Sequence, residues 1–345
     1  MILMSMCDIS FVIPVYNGRK TILRCLESIY KLDLSKDRFE VIVIDDCSTD
    51  NTCDIVADFA TLKNNLTLVR QTENHRQGAA RNRGVRLAKG MYVMFVDADD
   101  TVESGIPKAL DYVSNTPIDM LWCKWSLQSS PDGVFKEMEG SCPYDTILSG
   151  TSFCNQYYDM MIYGGPCTYL IRRAYINTLG IPFVEDRMME DVDWVEKHLF
   201  HCSSFACYNT KIYSYFFNEG STLHSFSAKR DADTLMYCIR RLYFAEQVES
   251  MANCFSDKVK QYAFGWINYV LSFRHLSRHS VRSINKIYKD IGEDSLSFLS
   301  RFKWPHTFTH FCITYPNLIV CLMGIIHPFC ELARIMYRKI LNAKN

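Results

Sequence analysis

The sequence has no surplus of charge of either sign: lysine plus arginine and aspartate plus glutamate each total 38 in 345 residues. No global field pulls the chain toward nucleic acid or anionic lipid, so nucleic acid is not an expected partner and any charged site must be local. It has no G-x-G-x-x-G between a strand and a helix, which removes the dinucleotide-binding oxidoreductases. Residues 14–19 contain only Gly18 where a sugar-phosphate nucleotidyltransferase should carry a Gly-rich, basic triphosphate loop, and that class is disfavoured. The 15 cysteines are scattered, odd in number and without a C-x-x-C pair. In a chain too large to need a disulfide framework, they are expected to be buried thiols in a reducing compartment. Residues 1–8 lack a basic n-region and 9–15 is too short for a signal-peptide core, so that run reads as a first strand. Repeats and low-complexity tracts are lacking as well.

What is present is a register. Short apolar, β-branched runs at 9–15, 40–45, 66–70 and 92–96 alternate with helical patterns at 20–29, 52–60 and 79–88. Ser48 to Asp50 offer caps for the second helix, and Gly90 sits where the third should stop. Runs apolar on both faces suit parallel strands covered by helices, and right-handed crossovers put all their C-terminal ends on one edge. The expected fold is α/β, a mostly parallel central sheet flanked by helices with a helical C-terminal extension. Residues 119–217 mix aromatic strands with a loop at 183–189 and a helix at 190–200. Helical patterns then take over, so the expected domains are 1–225 and 226–345.

Residues 311–330 carry no Asp, Glu, Lys or Arg, and Arg334, Arg338, Lys339 and Lys344 follow. A spanning helix needs ~20 predominantly apolar residues, and Pro316 and Pro328 interrupt this stretch. A buried terminal helix and an interfacial helix at 311–340 with a basic tail on anionic headgroups both remain open.

Polar residues collect at the expected strand ends, the rim where open α/β sheets bind ligands. Asp45 and Asp46 can accept hydrogen bonds from a nucleobase or ribose, although taken alone the pair is better explained as a capping turn. Asp97 and Asp99, two apart on an extended segment, project to one side and can converge on a hard divalent cation and a ribose. A lone D-x-D is common in solvated turns; its place directly after an apolar strand gives it weight. Glu190 and Asp191 open a helix, where the dipole favours acids, and Asp191 can also take a proton from an attacking hydroxyl.

As an ordered set the residues resemble the family 2 glycosyltransferases of the GT-A fold, the inverting family that builds bacterial surface polysaccharides. The blocks are Pro14-Val15-Tyr16-Asn17, Ile44-Asp45-Asp46-Cys47-Ser48-Thr49-Asp50, Gly78-Ala79-Ala80-Arg81-Asn82, Phe95-Val96-Asp97-Ala98-Asp99-Asp100, Glu190-Asp191, and Tyr213-Ser214-Tyr215 ahead of Gly220-Ser221-Thr222. The resemblance implies a nucleotide-diphosphate sugar donor of the UDP type, a glycan or lipid-linked glycan acceptor, and a Mn2+ or Mg2+ cofactor. It implies that Asp46, with Asp45, contacts the base, that Asp97 lies by the ribose, that Asp99 ligates the metal and that Asp191 is the base. Pro14, Tyr16, Asn17, Ala98 and Glu190 would join the donor site, with phosphate contacts from Gly78, Arg81 and Asn82. The expected location is cytoplasmic, on the inner face of the membrane if the terminal segment binds there. Cys47 departs from the Gly common after the paired aspartates, which puts the local turn geometry in question. His224 is a candidate metal or diphosphate ligand, though a lone histidine is more often structural. Trp122, Trp125, Tyr157, Tyr158, Tyr163 and Trp194 could form a sugar-stacking wall, or simply core. A non-catalytic scaffold of the same fold is the competing class, and the intact Asp97, Asp99 and Asp191 argue against it.

Overall fold

The computed structural model describes residues 7–128, 130, 133–138, 143–157, 165–218, 227–276, 278–302, 307–319 and 322–323. The chain divides into two compact units, Met1–Gly220 and Ser221–Asn345.

The first unit opens with the alternation that periodicity predicts: β1 (Ile9–Val15), α1 (Ile22–Tyr30), β2 (Phe39–Asp45), α2 (Thr52–Ala60), β3 (Leu66–Arg70), α3 (Arg76–Leu87) and β4 (Tyr92–Phe95). Then come β5 (Thr101–Val102), α4 (Ile106–Asn115), β6 (Met120–Leu127), β7 (Lys136–Met138), α5 (Gly150–Tyr157), a 3-10 turn (Pro166–Thr168), β8 (Tyr169–Arg172), α6 (Arg173–Leu179), α7 (Asp191–His201) and β9 (Phe205–Tyr215). They form one nine-stranded sheet in the order β3-β2-β1-β4-β8-β6-β9-β5, with β7 on β6. The long ladders β1–β2, β2–β3 and β6–β9 are parallel, whereas β8 runs antiparallel to both β4 and β6. Every residue of β1 and β4 is buried, as strands covered on both faces require.

Pro14 shapes the rim. The β1–β4 pairing ends at Val12 opposite Phe95, and the last bond runs from Val96 N to Val12 O at 3.0 Å. Pro14, two residues on, faces the same neighbour and has no N–H to extend the ladder. The chain after Val96 is therefore released from the sheet, and the Asp97 to Asp100 turn begins there.

Gly90 does not end α3 in a left-handed cap. The helix stops at Ala88, whose backbone is extended. Gly90 N donates to Ser10 Oγ at 2.8 Å, and a Cβ at Gly90 would collide with the β1 backbone. The expectation of thiols throughout also needs correction. Cys25, Cys123, Cys154, Cys167 and Cys202 are buried free thiols, but Cys207 on β9 is disulfide-bonded. Sequence spacing says nothing about which cysteines the tertiary fold brings within bridging range.

The second unit is helical: α8 (Ala228–Val248), α9 (Asn253–Val270), α10 (Phe273–Leu276), α11 (Val281–Ile291), α12 (Glu293–Ser300) and α13 (Thr307–Thr314). Ser227 caps α8 by accepting from Arg230 N. Phe255, Val259, Ala263 and Ile267 recur every four residues along α9 and are all buried; α9 packs on α8, where Phe255 meets Phe244 edge-on. Of the segment 311–340, only 311–319 and 322–323 are described. Cys312, Ile313, Ile319 and Met323 there are buried, while Tyr315 and Leu318 are exposed. Residues 324–340 lie outside the described residues. Among the described residues, no helix is long and apolar enough to cross a membrane.

Candidate active site

The parallel order β2-β1-β4 sets three strand ends side by side. Asn17, after β1, has a positive φ of 53°, a conformation asparagine tolerates better than most residues. It ties its loop to the one after β2: Asn17 N donates to Ser48 Oγ at 2.8 Å, and Asn17 Oδ1 accepts from Thr49 N at 2.8 Å. Tyr16 beside it is 51% exposed. Asp45 is fully buried, and its Oδ2 accepts from Ser48 N at 3.0 Å, closing the turn. Asp50, not Ser48, serves α2, accepting from Thr52 N at 3.0 Å. Cys47 occupies the left-handed region at φ 63°, so the turn keeps the shape a glycine would favour and cysteine carries the strain.

Asp46 is 3% exposed. Its Oδ1 accepts from Gln71 Nε2 at 2.6 Å and His75 N at 2.9 Å. Its Oδ2 is buried without a hydrogen-bond partner among the described residues, as is Asp45 Oδ1. An unpaired buried acceptor is costly, about 1–3 kcal/mol, and an incoming N–H or hydroxyl would relieve it.

The turn after β4 is held by Tyr213 on β9. Its hydroxyl accepts from Asp97 N at 3.2 Å and donates to Asp100 Oδ2, while Asp100 Oδ1 accepts from Phe216 N at 2.8 Å. Asp97, Ala98 and Asp99 are half-buried on this turn. Asp99 Oδ2 accepts from Asn218 Nδ2 at 2.8 Å. Burial first, and then repulsion from Asp97, raises the Asp99 pKa. The same causes, with Asp99 added, push Asp100 up to about 8. Arg24, which lies 3.7 Å over the Phe216 ring, donates to the Asp99 carbonyl. Carboxylates crowded enough to resist ionisation suit a hard divalent ion, which takes oxygen ligands and favours their charged form.

Arg81 on α3 joins this turn to the start of α7. Only 2% exposed, it donates to Asp97 Oδ1 at 2.9 Å and to Glu190 Oε1. Burial opposes its charge, but Asp97 and Glu190 outweigh burial and hold the guanidinium above its usual pKa. Glu190 is pushed up to about 7 by burial, with Arg81 opposing and Asp191 adding. Asp191, half-buried at the first position of α7, is raised chiefly by burial. Trp194, one turn on, stacks on Phe183 with centroids 4.1 Å apart and meets Phe95 of β4 edge-on at 5.6 Å. That packing anchors the α7 terminus beside β4.

Gly78 and Asn82 both lie against the loop at 183–185. A Cβ at Gly78 would collide with the Val184 carbonyl oxygen, so glycine is there for close approach. Asn82 Nδ2 donates to Phe183 O at 2.9 Å and Glu185 Oε1 at 2.8 Å, and its Oδ1 accepts from Phe183 N. Trp122, Trp125 and Trp194 are core residues, not a wall; Tyr157 is half-buried. Tyr158, Tyr163 and His224 lie outside the described residues. Sequence reasoning missed Arg24, Asp100 as a buried acid, and Asn218, whose partner is 119 positions away; no local signal marks that contact.

The model of the family described as "Glycosyl transferase family 2" matches residues 10–179. The chain is 31% identical over 183 residues to the putative teichuronic acid biosynthesis glycosyltransferase TuaG of Bacillus subtilis, covering 52% of this chain and 68% of TuaG. The chain belongs to the family 2 glycosyltransferases. This glycosyltransferase is also similar to the poly(ribitol-phosphate) beta-N-acetylglucosaminyltransferase TarS of Staphylococcus aureus, 30% identical over 215 residues, or 61% of this chain and 35% of TarS. The matched part thus spans about a third of that relative's length. A crystal structure of S. aureus TarS 1-349 in complex with UDP-GlcNAc shares its fold, with a TM-score of 0.60 at 20% identity over 96% of this chain and 92% of the other.

Proposed function

We propose that this family 2 glycosyltransferase moves a sugar from a UDP-sugar donor to an acceptor hydroxyl on a glycan or lipid-linked glycan, with inversion, in cell-surface polysaccharide assembly. The observation that carries the reading is Arg81, which binds Asp97 and Glu190 and so sets the turn after β4 against the acidic start of α7. The UDP-GlcNAc in the TarS crystal structure supports the donor class.

Asp46 Oδ2, buried and unpaired among the described residues, would accept from the nucleobase, and Asp97 would face the ribose. Asp99 would hold Mn2+ or Mg2+, which when bound offsets the charge of the leaving diphosphate as a Lewis acid. Arg81 acts through Asp97 and Glu190, fixing both carboxylates in place. Asp191 would take the acceptor's proton. Val192 N donates to its Oδ1 at 2.9 Å, so Oδ2, which faces Gly165, is the proposed proton acceptor, and a pKa raised by burial makes it a stronger base. A base opposite the leaving group inverts the anomeric centre, as in inverting glycosidases.

Incubating the chain with a panel of UDP-sugars, with and without Mn2+, tests the reading by donor hydrolysis and transfer. Full activity in EDTA would remove the metal, and no turnover of any UDP-sugar would remove the donor class. A site on the inner face of the cytoplasmic membrane belongs to the same reading for a lipid-linked acceptor. Flotation with anionic liposomes, with and without residues 311–345, tests that.

A further inference from the structure

The second unit contains a polar cluster that sugar transfer does not use. His275 and His279 are four residues apart, the spacing that sets two imidazoles on one side of a helical segment. Here His275 lies on α10 and His279 in the turn beyond it: Leu276 N donates to Ser272 O at 2.9 Å, and His279 N donates to Leu276 O, three residues back, at 2.9 Å. Asp231 reaches the pair from the first turn of α8, 44 and 48 positions earlier in the chain. His275 Nε2 lies 2.7 Å from Asp231 Oδ2, and His279 Nε2 contacts the same oxygen. The three ligand atoms all lie within 4.8 Å of one another. The residues are 2%, 3% and 4% exposed for Asp231, His275 and His279.

We propose that Asp231, His275 and His279 bind a divalent transition-metal ion of the zinc class, which clasps the start of α8 to α10 and to His279 just beyond it. A carboxylate removed from water needs a compensating positive charge, and a divalent ion supplies it without protonating either ring. Two imidazole nitrogens and one carboxylate oxygen form a borderline-soft donor set, which selects zinc or cobalt over magnesium or calcium. Convergence of both Nε2 atoms on one oxygen sets the three donors around a single point. Tetrahedral zinc with ligand distances of about 2.0–2.2 Å would hold its donors roughly 3.3–3.6 Å apart, so each nitrogen would draw back from Oδ2 by roughly 0.6–1.1 Å, a shift that imidazole rotations supply. Asp99 lies in the other unit and offers only oxygen, so the two sites differ in chemistry. A purely hydrogen-bonded Asp–His–His network is the rival account, and metal uptake separates the two.

The test uses the full chain, stripped with a chelator, then loaded with Zn2+ or Co2+ and passed through a desalting column. One equivalent of zinc by elemental analysis, a visible Co2+ d–d band and a higher Tm with Zn2+ than with an equal concentration of Mg2+ are expected. Asp99→Asn should retain zinc, while His275→Ala and His279→Ala should each lose it along with the Co2+ band. Failure of the wild-type chain to retain zinc overturns the site, whatever the variants do. Retention undiminished in both histidine variants overturns it equally, since the ion would then sit elsewhere. The measurements read metal and not turnover, so their outcome is independent of the proposed sugar transfer.

Discussion

Arg81 and Glu190, 109 positions apart, form a buried ion pair that brings α3 to the N-terminus of α7. Asp97 takes the other arm of the same guanidinium at 2.9 Å, so one side chain sets the spacing of the acidic groups on both sides of the site. Arg81→Met should lower stability by roughly 3–5 kcal/mol, because it leaves the buried Glu190 carboxylate without its cation. Arg81 holds the Glu190 pKa down to about 7, so without it Glu190 escapes by protonating at higher pH, and the loss should be larger at pH 8 than at pH 6. Urea denaturation at pH 6 and 8 measures it, and an unchanged midpoint at pH 8 would deny the pair its structural part.

Asp99→Asn should abolish the Mn2+-dependent part of UDP binding, because a neutral amide is a poorer ligand for a hard cation. The fold should survive, since the variant can keep an oxygen for Asn218 Nδ2. Calorimetric titration of UDP with and without Mn2+ checks this. Equal metal linkage in variant and wild type would place the ion elsewhere.

Asp191→Asn keeps the side chain's size and can still accept from Val192 N, but it cannot take a proton. Donor affinity should hold while kcat falls about 10²–10⁴-fold, the usual worth of a positioned general base. If donor binding fell as far as kcat, Asp191 would be part of the donor site or a helix cap instead.

Stability should depend on pH through Asp100. Its folded pKa, pushed up to about 8 by burial and by Asp97 and Asp99, exceeds its unfolded value. The folded state therefore holds the proton more tightly, and this contribution is complete below about pH 4 and lost as pH rises through about 8. Tm in EDTA should fall across that window, and Asp100→Asn, which cannot ionise, should flatten the fall. Mn2+ should stabilise the wild type more at pH 8 than at pH 6, because ionised carboxylates bind it better. A profile equally steep in the variant would assign the slope to other groups.

The sequence by itself determined the βαβα alternation and the placement of Asn17, Asp45, Asp46, Asp97 and Asp99 at strand ends. Those features rest on apolar periodicity over a few residues and on the geometry of parallel strands, which are local or nearly so. It also marked Cys47 as the odd residue of its turn, and the positive φ there shows why. Only the tertiary structure decided that Arg81 and Asn82 turn to Glu190, Asp97 and Phe183, and that the tryptophans fill the core. It alone showed that Cys207 is bridged and that Asp231 meets His275 and His279. Each of these contacts depends on which distant side chain the packed core brings within hydrogen-bonding or bonding range, and residue type and spacing along one chain do not encode that distance. The α7 terminus makes the same point: helix propensity and the dipole explain acids at 190 and 191, but it takes Trp194 packed on Phe183 and Phe95 to carry them to the end of β4.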